Sequence, residues 1–273
     1  MKKQSSCEEI GQLCGGKSMK INLISIIFMV IFAVCSVVDL YCLIKEDKKK
    51  NKIFKPMLMP LLAVCYVLTA NHVKPLVIAA LLLGCAGDTF LLGEGIWFAA
   101  GLLAFLAGHI CYMISFIRVG LDSMAAQTSG TLQITSTVAQ AVGSHTLGAS
   151  KTAGMADIAL LFSDMKFTAV IYISFLILAG IIVIRKLPGK MILPVYIYAL
   201  ALVGTSFMAN VCMRKAGNVF IPAFVGSLFF IVSDSMIGID VFIKEHGHTY
   251  KMMIMLTYII AQTLITFSWA LCK

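Results

Sequence analysis

Long apolar stretches, each about the length of one membrane-crossing helix, alternate with short polar segments along the chain. A hydrocarbon core about 30 Å thick needs roughly 20 apolar residues per helical crossing. Continuous apolar runs of that length favour helices over the alternating pattern of barrel strands. We therefore predict an all-α, polytopic membrane bundle of about eight transmembrane helices. The predicted crossings are residues 22–44, 53–70, 74–92, 95–118, 167–185, 191–212, 218–243 and 251–271.

Two polar segments interrupt this pattern. Residues 1–20 form a polar N-terminal segment, and Met19, directly before the first apolar run, is an alternative start. Residues 119–166 are rich in Ser, Thr, Ala and Gly, so we predict a long polar loop there, with a short interfacial helix near Met155–Phe162. Residues 21–273 are otherwise predicted to form one eight-helix transmembrane domain.

The composition excludes an ordinary soluble domain. Hydrophobic residues make up 60% of the chain and charged residues 13%, whereas soluble domains carry about 25% charged residues. The net charge of +9 comes mainly from Lys and Arg between apolar runs, a pattern typical of membrane flanks, so we expect the bilayer and no nucleic acid as a partner. The basic run 45–52 predicts a multi-pass cell-membrane protein with its N-terminus outside, although Lys2, Lys3, Lys17, Lys20, Arg214 and Lys215 oppose that orientation.

Two acidic side chains lie inside apolar crossings. Asp88 belongs to the third crossing and Asp234 to the seventh. An Asp at the centre of a membrane helix costs about 2.5–3.5 kcal/mol on insertion scales. Both side chains must therefore face the bundle interior or a wet cavity, either as a structural hydrogen-bonded pair or as a functional site.

Other polar residues recur at helical spacing. His109 and Tyr112 of the fourth crossing share one face with Phe105, and Tyr258 and Gln262 of the eighth crossing are four residues apart. Both pairs can serve as interhelical hydrogen bonds or as parts of a site.

Lys55 opens the second crossing, where it can reach the interface or hold a lipid phosphate. The nine Cys form no C-x-x-C motif and no Cys/His cluster at metal spacing, so we expect no metal and no cofactor. Ser163-Asp164 repeats the dipeptide Ser233-Asp234 but lies in the polar loop, outside the predicted site.

Four stretches of the chain resemble one known family. Residues 87–116, GDTFLLGEGIWFAAGLLAFLAGHICYMISF, are similar to the signature of the YhhN/TMEM86 family, the lysoplasmalogenases. The stretches 193–209, 226–242 and 258–268 match it too, and Lys55-Pro56 stands at the expected distance before Gly87-Asp88. The resemblance spans about 25–270. The long 119–166 loop and Thr205, where the family tends to carry Met, depart from it.

The resemblance implies hydrolysis of the vinyl-ether bond of lysoplasmalogens to a fatty aldehyde and a glycerophospho-alcohol. The partners would be a vinyl-ether lysophospholipid and water. Because protonation of a vinyl ether gives an oxocarbenium ion, two carboxylates with separate acid and base roles suit this chemistry. We expect Asp88 and Asp234 to converge between the third and seventh helices and to act with His109 in catalysis. The expected substrate-binding residues are Lys55, Tyr112, Tyr198, Ser233, Tyr258 and Gln262.

Two other functions are compatible with intramembrane Asp and His. One is a proton-coupled transporter of small molecules or lipids, although the chain shows no internal repeat and no matched pair of broken helices. The other is a lipid-binding protein without chemistry. The pattern leaves open which Asp is the acid, the headgroup and chain preference, and the oligomeric state.

Overall fold

A computed structural model describes residues 22–45, 48–93, 95–142, 165–186, 189–243 and 245–272. These residues form eight helices, which confirms the predicted all-α bundle. The helices are α1 (Leu23–Ile44), α2 (Lys48–Thr69), α3 (Pro75–Phe90), α4 (Ile96–Val142), α5 (Lys166–Lys186), α6 (Gly189–Lys215), α7 (Ile221–Phe242) and α8 (His248–Leu271). A 3₁₀ turn, Asn218–Phe220, precedes α7.

Within the described ranges, six of these helices are long and apolar enough to cross a bilayer. The other two, α3 and the Lys166–Leu178 part of α5, are shorter apolar helices. The outer surface of the bundle exposes Leu, Ile, Val and Phe side chains; Phe167, for example, is 81% exposed. Such a surface is stable in lipid but not in water, so the protein is a multi-pass membrane protein.

The core lies where α8 packs on α7, α1 and α2, and where α4 packs on α3 and α6. Its largest fully buried side chains are aromatic, including Trp269, which packs against the tilted ring of Phe116 and meets the ring of Phe220 edge-on. Neighbouring helices run in alternating directions because short turns join α1 to α2, α3 to α4, and α7 to α8. The ends Ile44, Phe90 and Phe242 therefore lie at one end of the bundle.

Two prolines within α2 shape its contact with α3. Pro60 has no N–H, so the carbonyl of Pro56 loses its intrahelical donor. The Cys85 thiol of α3 lies 3.2 Å from that carbonyl oxygen and donates to it. A membrane helix tolerates such a break when a neighbour satisfies the freed group, and here the neighbour helix also carries Asp88.

The prediction of a loop from residue 119 is wrong for the part that the structure describes. α4 continues without a break to Val142, giving 47 residues in one helix. Leu121 and Met124 of this extension pack on Val211 and Phe207 of α6. The segment contains no proline, and this packing stabilises a helix whose polar composition alone would not predict one.

Helix boundaries correct two smaller expectations. α2 begins at Lys48, so part of the basic run 45–52 is helical, and α3 ends at Phe90, which puts Asp88 in its last turn. Residues 1–20, the predicted helix near Met155–Phe162, and Ser163-Asp164 lie outside the described residues.

We expect Gly226→Ala to destabilise the bundle by about 1–3 kcal/mol through overpacking. A Cβ at Gly226 of α7 would lie 2.7 Å from the backbone oxygen of Ala261 of α8. The measurement is reversible denaturation in detergent micelles. Gly238→Ala, on the same helix with nothing within 4 Å of its Cβ, is the matched control; equal unfolding midpoints for both variants would contradict this account.

Candidate active site

Side chains of two other helices, α8 and α2, contact the carboxyl of Asp88 on α3. Its carboxyl is buried, with 2% of the residue exposed. The Tyr258 hydroxyl of α8 donates to Oδ2 over 2.9 Å. The Lys55 ammonium of α2 lies 3.9 Å from Oδ1. One carboxylate oxygen thus has a hydrogen-bond donor and the other a cation, which is how a buried charge is compensated.

The glycine before Asp88 allows α3 to approach α4. A Cβ at Gly87 would lie 2.6 Å from the ring of Phe105, and a Cβ at Gly101 would lie 3.2 Å from the carbonyl oxygen of Gly87. No larger side chain fits at Gly87 without moving the aromatic ring. The Gly-Asp motif therefore has a physical basis, since the glycine brings the Asp88 turn against Phe105.

Asp234 lies in the middle of α7 and accepts a hydrogen bond at Oδ2 from the Tyr198 hydroxyl of α6. It lines a cavity of about 60 Å³ at the end of the bundle where α3 and α7 end and α4 and α6 begin. Tyr198 and apolar residues form the rest of the lining: Leu91, Phe98, Leu102, Phe105, Val195, Ile237, Gly238 and Phe242. The Asp234 cavity is therefore mostly apolar, and its only polar lining side chains among the described residues are the carboxyl of Asp234 and the phenol of Tyr198.

The expected convergence of Asp88 and Asp234 stays a prediction. The two carboxyls lie within electrostatic range of each other, although the helices that carry them do not pack together directly. α3 packs on α2 and α4, whereas α7 packs on α6 and α8, so α3 and α7 are not a packed pair. The two acids are linked through the helices between them. Phe105 of α4 lines the Asp234 cavity and meets the ring of Tyr258 edge-on at 6.0 Å. Phe105 thus contacts both carboxylate sites.

His109 lies deeper along the same face of α4. It is 2% exposed, and its ring meets Phe230 edge-on at 4.7 Å and Tyr198 at 5.7 Å. Its Nδ1 is 3.2 Å from the hydroxyl of Thr205. The departure from the family pattern at Thr205 therefore has a structural consequence, because a threonine there supplies a partner to the His109 ring.

The structure connects two of the other predicted residues and places a third elsewhere. The Tyr112 hydroxyl donates to Gln262 Oε1 over 2.9 Å, joining α4 to α8. Ser233 is fully buried, but its hydroxyl donates to the backbone oxygen of Ile254 over 2.9 Å. Ser233 therefore ties α7 to α8 and does not line the Asp234 cavity.

A third buried acid, Asp39 of α1, was missed. Asp39 is 0% exposed, and its Oδ1 accepts a hydrogen bond from Asn51 Nδ2 over 2.9 Å. Lys55 lies within electrostatic range of Asp39 as well as of Asp88. The sequence contains the feature that identifies it, because Asp39 is also an acidic residue inside a predicted crossing. Lys55 is consequently engaged with two carboxylates, and its predicted contact with a lipid phosphate stays a prediction.

The site is therefore a set of buried and half-buried acids, tyrosines and one histidine inside a membrane helix bundle. Among the described residues, no group of three or more His, Cys, Asp or Glu could hold a metal ion. This defines the class as a multi-pass membrane protein with a polar site enclosed in the bundle.

Comparison with protein families identifies the family. A model of the YhhN family matches residues 51–178 and 158–269 of the chain. The two matches together span all the predicted site residues, and the chain belongs to the YhhN family. Comparisons with curated proteins and with solved structures give no match.

Proposed function

We propose that this protein is a membrane-embedded hydrolase that cleaves the vinyl-ether bond of lysoplasmalogens to a fatty aldehyde and a glycerophospho-alcohol. The observation that carries the proposal is the pair of acids inside the bundle, the buried Asp88 and the half-buried Asp234, each hydrogen-bonded to a tyrosine and within electrostatic range of each other. Membership of the YhhN family and the oily cavity beside Asp234 support the same function.

The surroundings of the two acids favour different roles. Asp234 lines a mostly apolar cavity, and no Lys or Arg among the described residues forms an ion pair with it. A carboxyl in such surroundings is suited to the protonated form and to the general acid. Asp88 has the Lys55 ammonium beside it as a countercharge, which suits the ionised form and the base.

The reaction then proceeds in two stages that conserve protons. Asp234 gives its proton to the β-carbon of the vinyl ether, which leaves an oxocarbenium ion at the carbon bonded to oxygen. Water adds to that carbon and passes a proton to Asp88, forming a hemiacetal. In the second stage Asp88 protonates the glycerol oxygen as the C–O bond breaks, and Asp234 recovers the hydroxyl proton of the hemiacetal as the aldehyde forms.

The remaining predicted residues take supporting roles in this proposal. Tyr198 orients Asp234, Tyr258 orients Asp88, and His109, Tyr112 and Gln262 face the water. The apolar cavity accepts the alkenyl chain. In this arrangement the main role of Lys55 is to compensate the charge of Asp88. Ser233 contributes only by holding α7 against α8.

The proposed function is tested by measuring which type of chain linkage the protein cleaves. Purified protein in detergent should release aldehyde from a 1-alkenyl lysophospholipid but nothing from matched 1-alkyl and 1-acyl lysophospholipids, since only a vinyl ether becomes an oxocarbenium ion when carbon is protonated. Aldehyde is measured by coupled reduction with a dehydrogenase, and free fatty acid by mass spectrometry. Release of fatty acid from the 1-acyl lipid at a comparable rate would contradict the proposal.

A further inference from the structure

A second, much smaller chamber lies on the other side of Phe105. Its volume is about 10 Å³, close to the roughly 10–15 Å³ that one water molecule needs. It lies between α3, α4, α7 and α8 and is lined by Ala80, Gly84, Phe105, Gly108, His109, Tyr112, Phe230 and Gln262. We call it the small chamber.

Small side chains on α3 and α4 leave this room. Ala80, Gly84 and Gly108 line the small chamber. A Cβ at Gly84 would lie 3.4 Å from the Tyr258 hydroxyl and 3.7 Å from Gln262 Nε2. Gly84 therefore lies beside both the small chamber and the Tyr258 hydroxyl that donates to Asp88, and a methyl group would make only ordinary contacts there.

The hydrogen-bond pattern fixes what His109 offers to the small chamber. The Thr205 hydroxyl has one proton and donates it to the backbone oxygen of Ala201 over 2.9 Å, so it accepts from His109 Nδ1. His109 Nε2 is then an acceptor. Nε2 is buried and has no hydrogen-bond partner among the described residues, and a buried polar atom of this kind needs a ligand.

Gln262 offers the complementary group. Its Oε1 accepts from Tyr112, which orients the amide so that Nε2 is a donor near Gly84. An acceptor at His109 and a donor at Gln262 in a chamber of one-water size are the partners that a bound water requires.

The geometry points to a bound water in the small chamber, donating to His109 Nε2 and accepting from Gln262 Nε2, and to this water as the one consumed in hydrolysis. The catalytic half of this inference rests on the proposed function. The water keeps one lone pair for the oxocarbenium carbon. As the new C–O bond forms, the water's second proton passes to the Tyr258 hydroxyl while Tyr258 gives its own proton to Asp88 Oδ2, so His109 and Gln262 are positioning residues and Asp88 remains the final base.

Gly84→Ala tests the site, because the added methyl group would lie 3.7 Å from Gln262 Nε2, the proposed donor to the water, while making only ordinary contacts. We expect kcat to fall by about 10²-fold, since a displaced nucleophile loses its alignment, with KM for the alkenyl lipid and the melting temperature unchanged. Gly189→Ala is the matched control, since the exposed Gly189 begins α6 and no atom lies within 4 Å of its added Cβ. A Gly84→Ala variant with wild-type melting temperature and wild-type kcat would overturn the inference.

A structural readout keeps this test separate from the proposed function. A high-resolution experimental map of the wild-type protein should show one density peak within hydrogen-bond distance of both His109 Nε2 and Gln262 Nε2, and the peak should be missing in Gly84→Ala. A map without that peak overturns the water site even if aldehyde is released. If the peak is present but no vinyl-ether lipid is turned over, the proposed function fails while the water site holds.

Discussion

Replacing Asp234 by Asn is expected to lower kcat for aldehyde release by about 10²–10⁴-fold, the usual contribution of a general acid. The amide has the shape of the carboxyl and can still accept from Tyr198, but it has no proton to give to carbon. The variant should fold and insert normally, because an amide in the oily cavity carries no charge. Single-turnover release of aldehyde measures the chemical step directly.

Asp122→Asn is the matched control for this exchange, since Asp122 is exposed on α4. It should keep wild-type turnover and wild-type stability. A fully active Asp234→Asn variant would remove Asp234 from the chemistry and leave the oily cavity without a role in proton transfer.

Replacing Lys55 by Gln is expected to destabilise the protein by about 1–3 kcal/mol, because the buried carboxylate of Asp88 loses its cation. The double variant Lys55→Gln/Asp88→Asn should recover most of that stability, since it contains no uncompensated carboxylate at this position. Both variants should be poor catalysts. Thermal unfolding in detergent and the aldehyde assay together give the two readouts of this double-mutant cycle.

The control for Lys55 is Lys52→Gln, one turn earlier on α2 and exposed, which should change stability by less than about 0.5 kcal/mol. If Lys55→Gln and the double variant unfold at the same temperature, below the wild type, then Lys55 stabilises α2 for reasons unrelated to Asp88. That outcome would also weaken the assignment of Asp88 as the ionised base.

The bundle could be predicted from the sequence because each crossing must supply enough apolar length by itself. α1, for example, was predicted as 22–44 and is Leu23–Ile44. The extension of α4 could not be predicted, because a Ser- and Thr-rich segment is equally compatible with a loop or a solvated helix. Its packing through Leu121 and Met124 onto α6 is a tertiary contact that no local pattern contains.

From the sequence, site residues could be predicted only where the free-energy cost of placing a charged side chain in lipid marks them. Asp88 and Asp234 are expensive inside lipid, so they were identified, and Asp39 meets the same criterion but lies near the end of its crossing. Its burial depends on Asn51 and the neighbouring helix. The linkage of the acids through Phe105 could not be inferred, since it depends on which helices are neighbours.

Under the proposed function and the orientation predicted from the basic run 45–52, the position of the Asp234 cavity sets the side of the membrane that supplies its lipid. The cavity lies at the end of the bundle where α1 and α7 end and where α2 and α6 begin. The orientation predicted from the basic run 45–52 puts that end on the cytoplasmic face. A lipid whose chain enters there keeps its headgroup in the inner leaflet. The protein would thus act on one leaflet, and molecules in the other would have to flip across the bilayer first.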